Sequence, residues 1–238
     1  MQIIRCNSTL KISRVAGILF LLSFIGPSLN WLFILSRFIS QGSSTSLNIL
    51  NNEFLFRFNI INGIFTTIIL LSLALCLYII FRAVNRNMAL AAFSLKMIEA
   101  VLTSTLTLGH FIILLVLRGE PQSIEIQKVV NLLIENYIFF TAIPGLFFGM
   151  SMMIYSYLFL KSGYVPFALA FFGIVSYSLV IIYDSLTVLL PNYAAMLPVQ
   201  ITGSAPVCLF QMIIGLWLIF KGIEMNTTHG VTHSHIIN

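Results

Sequence analysis

Apolar residues fill six long blocks of this 238-residue chain, and polar residues collect in short strips between them. The blocks are Val15–Ile39, Phe54–Phe81, Met88–Leu117, Tyr137–Leu160, Pro166–Leu190 and Ile201–Phe220. A bilayer core about 30 Å thick is crossed by about 20 apolar residues in a helix rising about 1.5 Å per residue. The pattern therefore predicts six transmembrane helices. The strips hold turn formers, in order SQGSSTSLN, RAVNRN, RGEPQS, KSGYV and PNYAAMLP, and none leaves room for a soluble domain. The predicted fold is all-α: a polytopic membrane protein, a bundle of about six transmembrane helices with both termini cytoplasmic. Residues 1–13 form an N-terminal segment, 14–224 the transmembrane domain and 225–238 a flexible cytoplasmic tail.

Composition strengthens this reading. Hydrophobic residues make up 59% of the chain, charged residues 8%, and the mean hydropathy is +1.02. Soluble domains are about 45–50% apolar and about 25% charged. Too few polar residues exist here to coat a soluble fold of this size. The net charge of +5 comes from lysines and arginines scattered singly between the blocks. Without a basic run or face, no nucleic-acid partner is expected, and the lipid bilayer is the expected environment.

The basic residues instead predict orientation. With the N-terminus inside, Arg5, Lys11, Arg14, Arg82, Arg86, Lys161 and Lys221 are cytoplasmic, whereas Arg37, Arg57, Arg118 and Lys128 lie outside. Glu53, Glu120, Glu125 and Glu135 also fall outside. The lysine and arginine excess sets topology. Arg57 can additionally pair with Glu53 one helical turn away. Lys11 and Arg14 ahead of an apolar block resemble a signal peptide, but the block exceeds a 7–15-residue signal core. A retained first span is expected, with cleavage within SQGSSTS the alternative.

Polar residues inside the blocks carry the candidate chemistry. With Lys96 at zero, helical geometry puts Glu99, Thr103, Thr107 and His110 at roughly 300°, 340°, 20° and 320°. They share a stripe about 80° wide, which should face the bundle because lipid-facing charge is costly. Counted from Met88, Lys96 is about 12 Å deep and can snorkel to water, whereas Glu99 at about 16 Å needs a partner, a proton or a wet cavity. Lys96 is the nearest partner. Gln211 lies at a similar depth, which predicts a Glu99–Gln211 hydrogen bond. Asn59, Asn62 and Thr66 share a face near the outer end of the second helix, where interhelical hydrogen bonding is the simpler role. Asp184 is expected at the interface, toward the outer end of the fifth helix. Gly26-Pro27 and Pro144-Gly145 predict kinks.

Other features carry little chemistry. Cys6, Cys76 and Cys208 lie far apart without a CxxC, so neither a disulfide nor a metal site is expected. His229, His233 and His235 in the tail lack surroundings that would fix their rings on a metal. Asn226-Thr227-Thr228 matches a glycosylation acceptor, but a cytoplasmic tail would not be modified. GxSxG, HExxH, P-loop and GxGxxG motifs are absent, as are an arginine ladder, a potassium-filter motif and an inverted repeat. No catalytic residue and no cofactor are assigned.

Several segments share a family's motif order. They are AGILFLL after Arg14, NNEFLFRFNI, RAVNRNMALAAF running into LKMIEA, YLFLKSGYVPFALAFFGIVSY, YDSLTVLLP and LWLIFKGIE. From about Ser13 to Glu224 the chain resembles the bacterial integral-membrane family known as domain of unknown function 4386. The resemblance implies a six-helix protein of the bacterial inner membrane, without an established activity. It also implies that arginine is typical at the position of Lys96, with Glu99 following, and that glutamate is frequent at the position of Gln211. Glutamine there weakens any acid–base role, and lysine in place of arginine weakens a bidentate contact.

Three functional readings follow. In the first, the protein binds or transports a small molecule or lipid in a polar cavity entered from the cytoplasmic side. Lys96, Glu99, Thr103 and Gln211 line it; Thr107, His110, Asn59, Asn62 and Asp184 are further candidates. An anionic molecule or lipid headgroup would suit Lys96. In the second, the protein is a structural or regulatory membrane subunit without a ligand. In the third it is an intramembrane enzyme with Glu99 or His110 as general base, although no nucleophile or metal constellation accompanies them.

Overall fold

The computed structural model describes residues 2–30, 38, 45–119, 123–194 and 196–223. Among these, nine helices follow one another: α1 (Gln2–Asn30), α2 (Thr45–Asn51), α3 (Glu53–Phe81), α4 (Arg86–Gly119), α5 (Ile124–Glu135), α6 (Tyr137–Ser162), α7 (Phe167–Leu189), α8 (Pro191–Ala194) and α9 (Leu197–Phe220). Six are long and apolar enough to cross a membrane: the Leu10–Ser28 part of α1, and α3, α4, α6, α7 and α9. The protein is an all-helical, multi-pass membrane protein.

The six spans form a closed ring in chain order. Each of α1, α3, α4, α6, α7 and α9 packs against the next, and α9 returns to α1. Short links force neighbouring spans to run antiparallel and lie side by side. The return contact depends on glycine. A Cβ on Gly17 would lie 2.7 Å from the Gly215 carbonyl oxygen, and one on Gly215 would lie 3.1 Å from the Gly17 carbonyl oxygen. Small residues let the two backbones approach, which drives helix association where lipid removes the hydrophobic incentive. Beside this crossing, the Ile223 amide donates to Ser13 Oγ at 3.0 Å. Both ends of the domain therefore meet at one end of the bundle, called here the terminal end.

Span boundaries agree with the hydropathy blocks to within a few residues, except in the first. There the helix starts at Gln2, ahead of Val15, because the intervening Ser, Thr and Asn residues do not break it. Residues 31–37 and 39, assigned to the same block, lie outside the described residues, as do 120–122 and the histidine tail. The helices run without interruption through Pro27, Pro144 and Pro206.

The bundle halves differ. In the terminal half, Phe81 packs edge-on against Phe159 and beside Tyr155 and Tyr164, within a cluster containing Ala16, Phe20, Leu77, Leu158 and Leu218. This core fills the ring. At the far end, the links read as turns contain α2 and α5. The latter, IEIQKVVNLLIE, is too short to span but amphipathic enough to dock. Ser123 caps it, its Oγ accepting from the Ile126 amide. Val130 and Ile134 of α5 and Ile49 of α2 join Phe38, Phe56, Ile60, Ile113, Leu114 and Leu117 in a second apolar cluster. It roofs the far ends of α3 and α4. Outward faces such as Phe65, Ile68, Val101 and Leu108 remain exposed, as a lipid-facing surface requires.

Candidate functional site: a polar cavity in the far half of the bundle

The α4 stripe faces the bundle, where α4 packs between α3 and α6. Lys96 is 1% exposed, Glu99 5% and His110 6%. Over its 34 residues α4 runs for about 51 Å, placing Glu99 about 20 Å from its start. Lys96 does not snorkel. Its Nζ lies 2.8 Å from Glu99 Oε2 and 4.6 Å over the centroid of the Phe148 ring on α6. Neither of the two paired atoms makes a well-aligned hydrogen bond. The contact is a charge pair at i,i+3, with the ammonium held between a carboxylate and an aromatic face.

A cavity of about 410 Å³ opens above this pair, toward the far end. From α4 it is lined by Glu99, Thr103, Thr107 and His110, and from α3 by Asn59, Asn62 and Thr66. Gln211 of α9 closes its base. Pro27 of α1, exposed and also lining the space, marks the open side. Asn59 Nδ2 lies 3.1 Å from His110 Nδ1. With the amide as donor, Nδ1 is the acceptor and the ring is the neutral Nε2–H tautomer. The imidazole meets Phe56 edge-on at 5.7 Å and the tilted ring of Tyr137 at 5.0 Å. Asn62 Nδ2 donates to the Gly26 carbonyl at 3.4 Å, tying α3 to α1 just before Pro27.

Seven of the nine expected residues thus converge on one space: Asn59, Asn62, Glu99, Thr103, Thr107, His110 and Gln211. Two do not line it. Lys96 stands behind Glu99. Asp184 is buried between α7 and α6, its carboxylate against Gly145, where a Cβ would collide with it. The missing side chain at Gly145 admits the Asp184 carboxylate into this helix–helix contact. Glu99 and Gln211 face the same space, but no hydrogen bond joins them. Gln211 instead neighbours the Tyr177 hydroxyl, which is buried at the base without a well-formed hydrogen bond. The cavity lies in the half of the bundle away from the chain ends, and the packed core fills the terminal half.

Sequence reasoning missed the α6 and α1 walls. Tyr137, Thr141, Gly145 and Phe148 recur at three- and four-residue spacing along α6, and Ser23 and Pro27 do so on α1. That polar-edged periodicity beside Pro144 was the available clue. Glu53 links two arginines at the far end, with Arg57 Nε at 2.6 Å and Arg118 Nε at 3.4 Å.

The fold and cavity define a polytopic helical membrane protein with a pocket at mid-span depth. The chain belongs to the family described as Domain of unknown function (DUF4386), whose model matches residues 15–222. No curated protein and no solved structure matches the chain.

Proposed function

We propose that the protein binds a small molecule or lipid within the bilayer, in the cavity between α1, α3, α4 and α6. The carrying observation is the cavity itself. Its volume of about 410 Å³ lies in the range of small-molecule sites, roughly 300–1,000 Å³, and its wall combines apolar surface with convergent hydrogen-bonding groups. Binding is favoured over transport, because the terminal half is packed with buried apolar side chains, among them Phe81, Tyr155 and Phe159. For Lys96 alone the helix-locking role is favoured, since its ammonium is enclosed.

In this reading the protein resides in a bacterial inner membrane with both termini cytoplasmic. Seven of the twelve lysines and arginines flank the terminal end, against three at the far end among the described residues, Arg57, Arg118 and Lys128. Two of those three, Arg57 and Arg118, pair with Glu53, which weakens their pull on topology. The cavity would then open toward the outer leaflet.

The test is mass spectrometry of molecules that co-purify in mild detergent. Thr103→Phe fills the cavity, and Gly109→Ala is the control, because a Cβ there meets nothing within 4 Å. A molecule retained by wild type and Gly109→Ala but lost from folded Thr103→Phe supports the proposal. Equal recovery from all three overturns it.

A further inference from the structure

Charge bookkeeping around the cavity narrows its ligand. We infer that the cavity selects a net-neutral molecule that carries hydroxyl or amide groups on an apolar body, and excludes anions and cations; this rests on the binding role proposed above. Among the described lining residues, Glu99 is the one with a formal charge. Its counter-charge is supplied from inside the wall by Lys96, 2.8 Å away. The Lys96 ammonium has less than 1 Å² of accessible surface and lies against the Phe148 ring, so a ligand cannot reach it. The pair is internally neutralised before any ligand arrives.

Each ligand class meets this arrangement differently. An anion finds no accessible cation and meets the Glu99 carboxylate directly. A cation finds a carboxylate already compensated, so it enters as an uncancelled charge at mid-membrane depth. Either is penalised, because a lone charge in the membrane interior is expensive. A neutral polar molecule meets amides and hydroxyls of Asn59, Asn62, Thr66, Thr103, Thr107 and Gln211. Those groups can donate as well as accept, which suits hydroxyls and amides. Leu70, Leu106 and Phe24 on the same wall supply apolar contact. The preference reverses the expectation that Lys96 would recruit an anionic headgroup.

Three probes with one tail and different heads test this: hexyl glucoside, hexyl sulfate and hexyltrimethylammonium. Binding to the full chain in phosphatidylcholine nanodiscs is read by native mass spectrometry. Background partitioning is removed by subtracting the signal of Thr103→Phe. Hexyl glucoside is expected to bind about a hundredfold tighter than either charged probe, the ratio set by one uncompensated charge at the helix centre. Lys96→Met, which removes the counter-charge, should shift the preference to hexyltrimethylammonium, and Lys96→Met/Glu99→Gln should restore the glucoside. If Lys96→Met does not fold, the wild-type ranking decides alone. Hexyl sulfate binding tightest would mean that Lys96 is reachable and would overturn the inference while leaving the cavity's binding role intact. Hexyltrimethylammonium binding tightest would expose an unneutralised carboxylate, Glu99 or Asp184, and would overturn it equally. Probes indistinguishable from the Thr103→Phe background would overturn both the inference and the binding role.

Discussion

Lys96→Met removes one charge from the interior while keeping the length of the side chain. The thioether stem can still lie against Phe148. What disappears is the ammonium 2.8 Å from Glu99, which leaves a carboxylate that is 5% exposed without its partner. Removing one member of a buried pair typically destabilises by about 3–5 kcal/mol, and loss of the cation–π contact contributes about 0.5–2 kcal/mol of similar character. For a chain of this length each kcal/mol shifts the melting temperature by about 2–4 °C, so Lys96→Met should melt roughly 7–28 °C below wild type. Lys96→Met/Glu99→Gln removes both charges and should recover at least half of that loss. The difference between the double variant and the summed single variants is the coupling energy, expected at about 1–3 kcal/mol. The readout is the monodisperse fraction remaining by size-exclusion chromatography after heating in mild detergent. Additive single and double variants, with no recovery, would refute the claim that Lys96 and Glu99 stabilise each other.

Other expectations follow from the packing. Gly145→Ala should lower the melting temperature by about 2–10 °C through overpacking against Asp184, and Gly145→Ala/Asp184→Ala should regain most of it in the same heating assay. Gly17→Leu would drive a side chain into the Gly215 carbonyl and the Ile219 backbone, so it should abolish the monodisperse peak, whereas Gly109→Ala should leave it unchanged. For topology, Glu135→Cys should react with a membrane-impermeant maleimide in intact bacterial cells, and Arg86→Cys should react only after lysis; the opposite pattern would invert the orientation.

The spans were legible because hydropathy measures a property of one segment, and a run such as Phe54–Phe81 meets the bilayer criterion without reference to its neighbours. The α4 stripe was legible for a similar reason, since one helix's periodicity places Glu99, Thr103 and His110 on one face. Relations between helices were not legible. Depth counting brought Glu99 and Gln211 to one level, but the lateral offset that leaves Gln211 beside Tyr177 depends on helix rotation, which no single block encodes. Phe148 was invisible as a partner of Lys96 because an aromatic in an apolar run carries no mark of what lies above its ring. Asp184 was placed by its distance from the helix end, whereas its burial is set by the absence of a side chain at Gly145 on another helix. Hydropathy also passed over α5, whose twelve residues are too few for a span yet enough to roof two.

The Gly17–Gly215 crossing and the Ser13–Ile223 hydrogen bond join segments 210 positions apart in the latter case. At synthesis rates of about 5–20 residues per second, α1 leaves the ribosome roughly 10–40 s before the helix that covers it. During that interval its Gly17 face has no permanent neighbour, so assembly cannot finish from the N-terminal side inward. The last span to be made locks the first, and a nascent chain halted before Leu197 would present an open arc with its polar lining turned toward lipid.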